Sequence, residues 1–201
     1  MLRVGLTGGF ASGKSFVGQA LADLGCFVIK ADELGHQAIE PAGEAFEPVV
    51  KEFGAGILDA QGKIDRRRLG RDVFADPGRL AKLNALVHPV VIRREEEMIA
   101  AYAEREPKGI AVVEAAILIE AGSYKRFDRI VLAVCTPGQQ IERAMHRDGL
   151  TREEVLARLA RQMPLEEKRK FADYVVDTSG PKDETLRQVR RVYESLRSIE
   201  S

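Results

Sequence analysis

An apolar run at residues 2–6 leads into Gly8-Gly9-Phe10-Ala11-Ser12-Gly13-Lys14-Ser15, and a helical stretch, 14–24, follows. The sequence fits the pattern G-x-x-x-x-G-K-[ST] in the strand-to-helix context that the pattern requires. Glycines let the backbone curl so that its N–H groups converge on one point, and the helix start adds a positive dipole end. The stretch therefore predicts a phosphate-binding loop (P-loop). A solvated Lys14 would reach the β- and γ-phosphates of a nucleotide, and Ser15 would ligate Mg²⁺.

Four further apolar or β-branched runs, at 26–29, 110–113, 129–134 and 174–176, predict strands. The runs are continuous rather than alternating, which is typical of strands that are buried on both faces. Helical patterns accompany them at 137–147, 152–161 and 184–196. We therefore expect an α/β fold with a P-loop NTPase-like core, in which helices flank a five-stranded parallel sheet.

Two insertions interrupt this pattern. About 80 residues separate the second and third strands, far more than a usual crossover, and helical spacings occur at 44–53, 66–74, 78–86 and 89–104. The second insertion, 143–171, carries many charges and little apolar surface, and Thr151 with Glu154 has the form of a capping box. The first predicts a helical substrate-binding insertion, and the second predicts a helical lid that is mobile when empty and closes over nucleotide.

The composition argues against nucleic-acid-binding, membrane, zinc-binding and disulfide-rich classes of protein. Among 201 residues, 31 Lys and Arg balance 31 Asp and Glu, so no global basic field favours nucleic acid or an anionic membrane. Cys26 and Cys135 lie in apolar stretches without zinc spacing or a disulfide framework. We find neither a signal peptide nor an apolar run long enough to span a bilayer, and we expect a cytoplasmic protein.

A P-loop serves both regulatory switches and kinases. A GTP switch needs an [NT]-K-x-D sequence to read guanine, and the nearest match, Ile29-Lys30-Ala31-Asp32, lacks Asn or Thr. A small-molecule kinase needs an acceptor pocket, a base and a cationic lid, for which the two insertions are candidates. The sequence favours the kinase.

Carboxylates follow two of the predicted strands. Asp32 follows the second strand, at the sheet edge where open α/β sheets bind ligands. Asp32 could have one of three roles. It could accept the proton of the acceptor hydroxyl, hold Mg²⁺ through water, or cap a helix that starts at Glu33. Glu114 and Glu120 follow the third strand and fit Mg²⁺ binding, substrate positioning or plain solvation.

Ordered stretches beyond the P-loop, at 28–32, 64–69, 83–89, 118–120, 143–148 and 172–176, complete a pattern over nearly the whole chain. This pattern resembles the dephospho-coenzyme A kinase family. The resemblance implies transfer of a phosphoryl group from ATP, with Mg²⁺, to the ribose 3′-hydroxyl of dephospho-coenzyme A in the last step of coenzyme A biosynthesis. Another P-loop nucleoside, nucleotide or small-molecule kinase is the alternative.

The resemblance also implies domains and residue roles. The nucleotide core would comprise 1–32, 108–142 and 172–201, the coenzyme A domain 33–107 and the lid 143–171. Asp32 would be the base, and Arg143 or Arg147 would join Lys14 at the phosphates. ATP would contact Gly9, Phe10, Ala11, Ser12, Gly13, Lys14, Ser15 and Phe16. The substrate would contact Asp32, Arg66, His88 and Glu120, whereas His36 and His146 are expected on the surface.

This chain departs from the usual family pattern at Lys30, Phe16, Glu114, Ala116 and Thr178. None of these departures removes a phosphate ligand. We expect dephospho-coenzyme A as the partner, no nucleic acid or membrane partner, and a monomer or weak homo-oligomer.

Overall fold

The computed structural model describes residues 1–199, and of positions 74 and 75 it describes the backbone alone. Residues 200 and 201, the end of the predicted core segment 172–201, lie outside the described residues. Within this range the strands are Leu2–Gly8 (β1), Phe27–Lys30 (β2), Ile110–Glu114 (β3), Arg129–Val134 (β4) and Tyr174–Asp177 (β5). The α-helices are Lys14–Asp23 (α1), Ala31–Ala38 (α2), Phe46–Phe53 (α3), Arg66–Ala75 (α4), Pro77–Arg105 (α5), Pro137–Asp148 (α6), Arg152–Leu159 (α7), Leu165–Lys168 (α8) and Lys182–Ile199 (α9).

The strands form one sheet in the order β2-β3-β1-β4-β5, and each neighbouring pair is parallel. Glu114 of β3 pairs with Leu6 of β1 and with Lys30 of β2, so these three strands reach the same edge of the sheet side by side. The predicted parallel sheet is confirmed. β1 continues to Gly8, so the first glycine of the motif is the last residue of the strand.

The chain divides into two compact units. The first contains residues 1–30 and the chain from 101 onward, and it holds the whole sheet. The second contains residues 31–100 and is mostly helical. Among residues 1–199, no helix combines the length and apolar character needed to cross a membrane.

The largest hydrophobic cluster of the first unit packs helices α1 and α9 against one face of the sheet. Val4, Leu6 and Val112 of the central strands are completely buried, and Leu21 of α1 and Leu196 of α9 are buried in the same cluster. The alternate positions Val113 and Leu132 face the other side of the sheet and are buried as well. Both faces of these strands are therefore covered, which explains why they read as continuous apolar runs.

The second unit has its own core, formed by residues that include Ala38, Val49, Leu69 and Val73. The prediction of separate helices at 78–86 and 89–104 is wrong, because α5 continues through Pro89. Proline removes one helical hydrogen bond and crowds the preceding turn, at a cost of about 3 kcal/mol. Apolar residues on both sides of Pro89 pack against this core and offset that cost; they include Leu83, Leu86, Val87 and Val90.

Two other expectations about helices need correction. The helix after β2 begins at Ala31, so Asp32 lies inside the first turn and is not the N-cap of a helix starting at Glu33. A carboxylate in this turn still interacts favourably with the helix dipole. The segment 143–171 does carry apolar anchors, since Val155 is completely buried with Ile141 and Ala144. The capping box of Thr151 and Glu154 is confirmed.

Candidate active site

The P-loop occupies the connection between β1 and α1. The Ser12 N–H donates to the Gly9 carbonyl at 3.1 Å, and the Phe16 N–H donates to the Gly13 carbonyl at 3.0 Å. Ala11 and Gly13 have φ values of 55° and 85°, in the left-handed region. These two residues curl the loop in the way that the glycine pattern predicts.

Two glycines are required here by their neighbours. A Cβ on Gly8 would lie 2.3 Å from Ser12 Oγ and 2.8 Å from the Ala133 carbonyl oxygen. A Cβ on Gly13 would lie 2.8 Å from Thr178 Oγ1, in addition to the strain of its positive φ. The motif therefore forms a narrow cradle that larger side chains would fill.

Glu114, the last residue of β3, binds both reactive side chains of the motif. Its Oε1 accepts hydrogen bonds from Lys14 Nζ at 2.8 Å and from Ser15 Oγ at 2.7 Å. The expectation of a solvated lysine is wrong, because the Lys14 side chain is only 11% exposed and the Glu114 side chain 4%. Glu114 Oε2 is buried without a hydrogen-bond partner. A hydroxyl beside a buried carboxylate is a donor set that suits Mg²⁺.

Phe10 connects the P-loop to helices α6 and α7 and to the segment that follows them. Its N–H donates to Gln162 Oε1 at 2.7 Å, and its carbonyl accepts from Gln140 Nε2 at 2.8 Å. The guanidinium carbons of Arg147 and Arg158 lie 5.6 Å and 5.3 Å from the centre of its ring. These are cation–π distances, so these two arginines of the predicted lid contact the loop through Phe10.

The two arginines predicted at the phosphates bind protein groups in this structure. Arg143 donates from Nη1 to Thr178 Oγ1 at 3.0 Å and from Nη2 to the Thr178 carbonyl at 2.7 Å. Thr178 Oγ1 lies 2.8 Å from the Ser12 carbonyl, so Arg143 reaches the P-loop through Thr178. Arg147 forms a bidentate pair with Asp148, whose hydrogen bonds lower the pKa of the Asp148 carboxyl.

Lys168 is a site residue that sequence reasoning missed. Its side chain is completely buried, and Nζ contacts the Gly8 carbonyl at 3.2 Å, the Ala116 carbonyl at 3.0 Å and Glu120 Oε1 at 2.9 Å. Glu120 Oε1 also accepts from the Met163 N–H at 3.1 Å. Lys168 lies in a charged stretch that reads as solvated, so the sequence carries no signal of its burial.

The remaining predicted residues lie in the second unit. Asp32 is exposed in the first turn of α2, and His88 is half-buried in α5, where burial lowers its pKa. Arg66 is the first residue of α4, and its guanidinium contacts His36. The structure thus joins Arg66 to a histidine that was expected only to be on the surface.

The chain is similar to known proteins over nearly its whole length. The family model described as Dephospho-CoA kinase matches residues 2–184. A dephospho-CoA kinase of Aquifex aeolicus is 40% identical over 196 residues, which cover 98% of both chains. One of Geobacter sulfurreducens is 42% identical over 190 residues, covering 94% of this chain and 96% of the relative.

A solved structure extends the likeness to the fold. The structure of TT1252 from Thermus thermophilus matches with a TM-score of 0.82 and 35% identity, and the match covers 96% of each chain. The family match, the two relatives and this shared fold agree with the P-loop geometry. The chain belongs to the dephospho-CoA kinase family.

Proposed function

We propose that the protein transfers the γ-phosphoryl group of ATP to the ribose 3′-hydroxyl of dephospho-coenzyme A, giving coenzyme A and ADP as the last step of coenzyme A biosynthesis. The observation that carries the proposal is the P-loop, with Lys14 and Ser15 held by Glu114, in a chain matched from residue 2 to 184 by the dephospho-CoA kinase family. The loop supports phosphoryl transfer, and the names of the relatives support the acceptor.

The first unit would bind the nucleotide. The loop from Gly9 to Phe16 would surround the phosphates, and Lys14 would neutralise the charge that builds up on the transferred group. Ser15, with Glu114 behind it, would hold Mg²⁺. The metal would supply further charge neutralisation.

Asp32 would accept the proton of the 3′-hydroxyl. Asp32 is exposed at the start of α2, where it is accessible to an acceptor. Arg66 and His88 lie within the predicted coenzyme A domain 33–107, and Asp32 immediately precedes it. Arg66 and His88 would contact dephospho-coenzyme A. Glu120 Oε1 is engaged by Lys168, which leaves Oε2 for the acceptor.

The predicted lid, 143–171, would close over the nucleotide. The contacts of Arg147 and Arg158 with Phe10 support this role, because a motion of the P-loop would reach the lid through that ring. Arg143 and Arg147 would then turn from Thr178 and Asp148 to the phosphates. The remaining segments, 1–32, 108–142 and 172–201, would form the nucleotide-binding core. We propose that the protein works in the cytoplasm as a monomer or weak homo-oligomer.

A panel of acceptors, incubated with MgATP and analysed by mass spectrometry, tests the function. We expect one added phosphate on dephospho-coenzyme A and much less on adenosine or AMP. Competition between dephospho-coenzyme A and adenosine in one tube gives the ratio of their kcat/KM values. A ratio near one would indicate another small-molecule kinase, and nucleotide hydrolysis without any phosphorylated acceptor would indicate a switch.

A further inference from the structure

One contact of the second unit joins helices α2 and α4. Arg66 Nη2 lies 2.5 Å from His36 Nε2. A guanidinium has only N–H donors, so the imidazole nitrogen must be the acceptor. His36 is therefore neutral in this contact, with its hydrogen on Nδ1.

The backbones that carry the two side chains are fixed. Ala38 of α2 and Leu69 of α4 are buried in the same hydrophobic core. Asp65 caps α4 by accepting hydrogen bonds from the N–H groups of the residues at positions 67 and 68, at 2.9 Å and 3.2 Å. The backbone of Arg66 is therefore held in place, and His36 holds the guanidinium at the end of the side chain.

The surroundings of His36 keep it neutral near physiological pH. Burial and the Arg66 guanidinium lower the pKa of the imidazole, whereas Asp32, Glu33 and Glu40 raise it, and the net effect is a pKa below its ordinary value. Next to Gly35 of α2, the nearest atoms of α5 belong to the aliphatic side chains of Val87 and Val91. The charged groups that shift the pKa of His36 are the three carboxylates and Arg66.

We propose that His36 is a positioning residue that holds the Arg66 guanidinium toward the diphosphate group of the acceptor. This role rests on the proposed function, in which Arg66 contacts dephospho-coenzyme A. One N–H of Arg66 is used by His36, and the others remain for a bidentate contact with phosphate oxygens. His36 lies four residues after Asp32, one helical turn along α2, so the residue that positions Arg66 and the proposed base are on the same helix.

Two variants of His36 separate a positioning role from a structural one. His36→Leu removes the acceptor, and His36→Gln supplies an amide oxygen that accepts a hydrogen bond at any pH. The readout is the kcat/KM ratio of dephospho-coenzyme A to adenosine, because adenosine lacks the diphosphate. We expect His36→Leu to lower this ratio about tenfold, as for a lost hydrogen bond to a charged group, and His36→Gln to lower it less than about threefold. An unchanged ratio in His36→Leu would overturn the proposal.

The pH dependence of the same ratio is a second test. A protonated imidazole cannot accept from Arg66 and repels it, so the wild-type ratio should fall as the pH is lowered from about 8 to about 5. The diphosphate diester of the acceptor does not titrate in this range. In His36→Gln the ratio should stay constant. A wild-type ratio that does not change with pH would contradict the role of His36.

The contact can also be tested without any activity. Because Arg66 lowers the pKa of His36, Arg66→Met should raise that pKa in an NMR titration, and His36→Gln identifies the signal among the three histidines. An unchanged pKa would refute the contact itself. By contrast, a wild-type acceptor ratio near one would refute the proposed acceptor, so the two failures are distinguishable.

Discussion

Replacement of the buried Lys168 by methionine tests the reasoning about how the P-loop is held. Methionine keeps most of the length of the side chain and removes the ammonium. The variant leaves the Gly8 and Ala116 carbonyls without this donor and Glu120 without its cation. The Lys168 side chain is 0% exposed, so water cannot replace the lost hydrogen bonds at that site.

The magnitude follows from the burial of the pair. Removing one partner of a buried ion pair costs about 3–5 kcal/mol, because the other charge is left uncompensated. The Glu120 side chain is 22% exposed, so water partly solvates its carboxylate. We therefore expect a cost near the lower end of this range, about 3 kcal/mol. For a chain of this size each kcal/mol lowers Tm by about 2–4 °C, so we expect Tm to fall by roughly 6–12 °C.

Urea unfolding and calorimetry of Lys168→Met, Glu120→Gln and the double variant measure the effect. The double variant should be less destabilised than the sum of the single variants, because it buries no unpaired charge. Lys168→Arg, which keeps the charge, should be closer to the wild type. In folded Lys168→Met we expect a higher KM for ATP, since Lys168 contacts the first glycine of the P-loop. A loss of less than about 0.5 kcal/mol, or strict additivity of the single variants, would refute this reasoning.

Other predictions concern the reaction, the lid and the cysteines. Lys14→Ala should lower single-turnover rates by about 10²–10³-fold or more. It also leaves the buried Glu114 without its cation, so adding Glu114→Gln should recover the lost stability but not the turnover. An active single variant would exclude the role of Lys14. Asp32→Asn should lower kcat by about 10²–10⁴-fold with little change in ATP binding, and a loss below about tenfold would exclude the base. Hydrogen exchange in 143–171 should slow with a non-hydrolysable ATP analogue, whereas unchanged exchange would indicate a rigid flap. Burial raises the pKa of Cys26 to about 12 and also raises that of Cys135, so a thiol reagent at about pH 8 should label both only after unfolding.

The fold class and the glycine loop between β1 and α1 could be predicted from the sequence because their signals are local. The strand, glycine loop and helix around Lys14 and Ser15 are contiguous, and the run at 110–113 reads as buried because both faces of β3 are covered. The resemblance also placed Arg66 among the candidates. Such signals consist of the spacing of apolar residues and glycines over a few neighbouring positions, and this spacing can be read directly from the sequence.

The partners of these residues depend on contacts between distant parts of the chain. Glu114 lies 100 residues from Lys14, Lys168 lies 160 residues from Gly8, and Gln162 lies 152 residues from Phe10. Whether a charged side chain is solvated or buried is decided by what packs around it, and the spacing of its neighbours in sequence does not report that. The same holds for Pro89, where packing on the core of the second unit outweighs a local preference to end the helix. Local sequence thus specified the sheet and the phosphate loop, whereas long-range packing selected the carboxylate, the lysine and the histidine that hold the functional side chains.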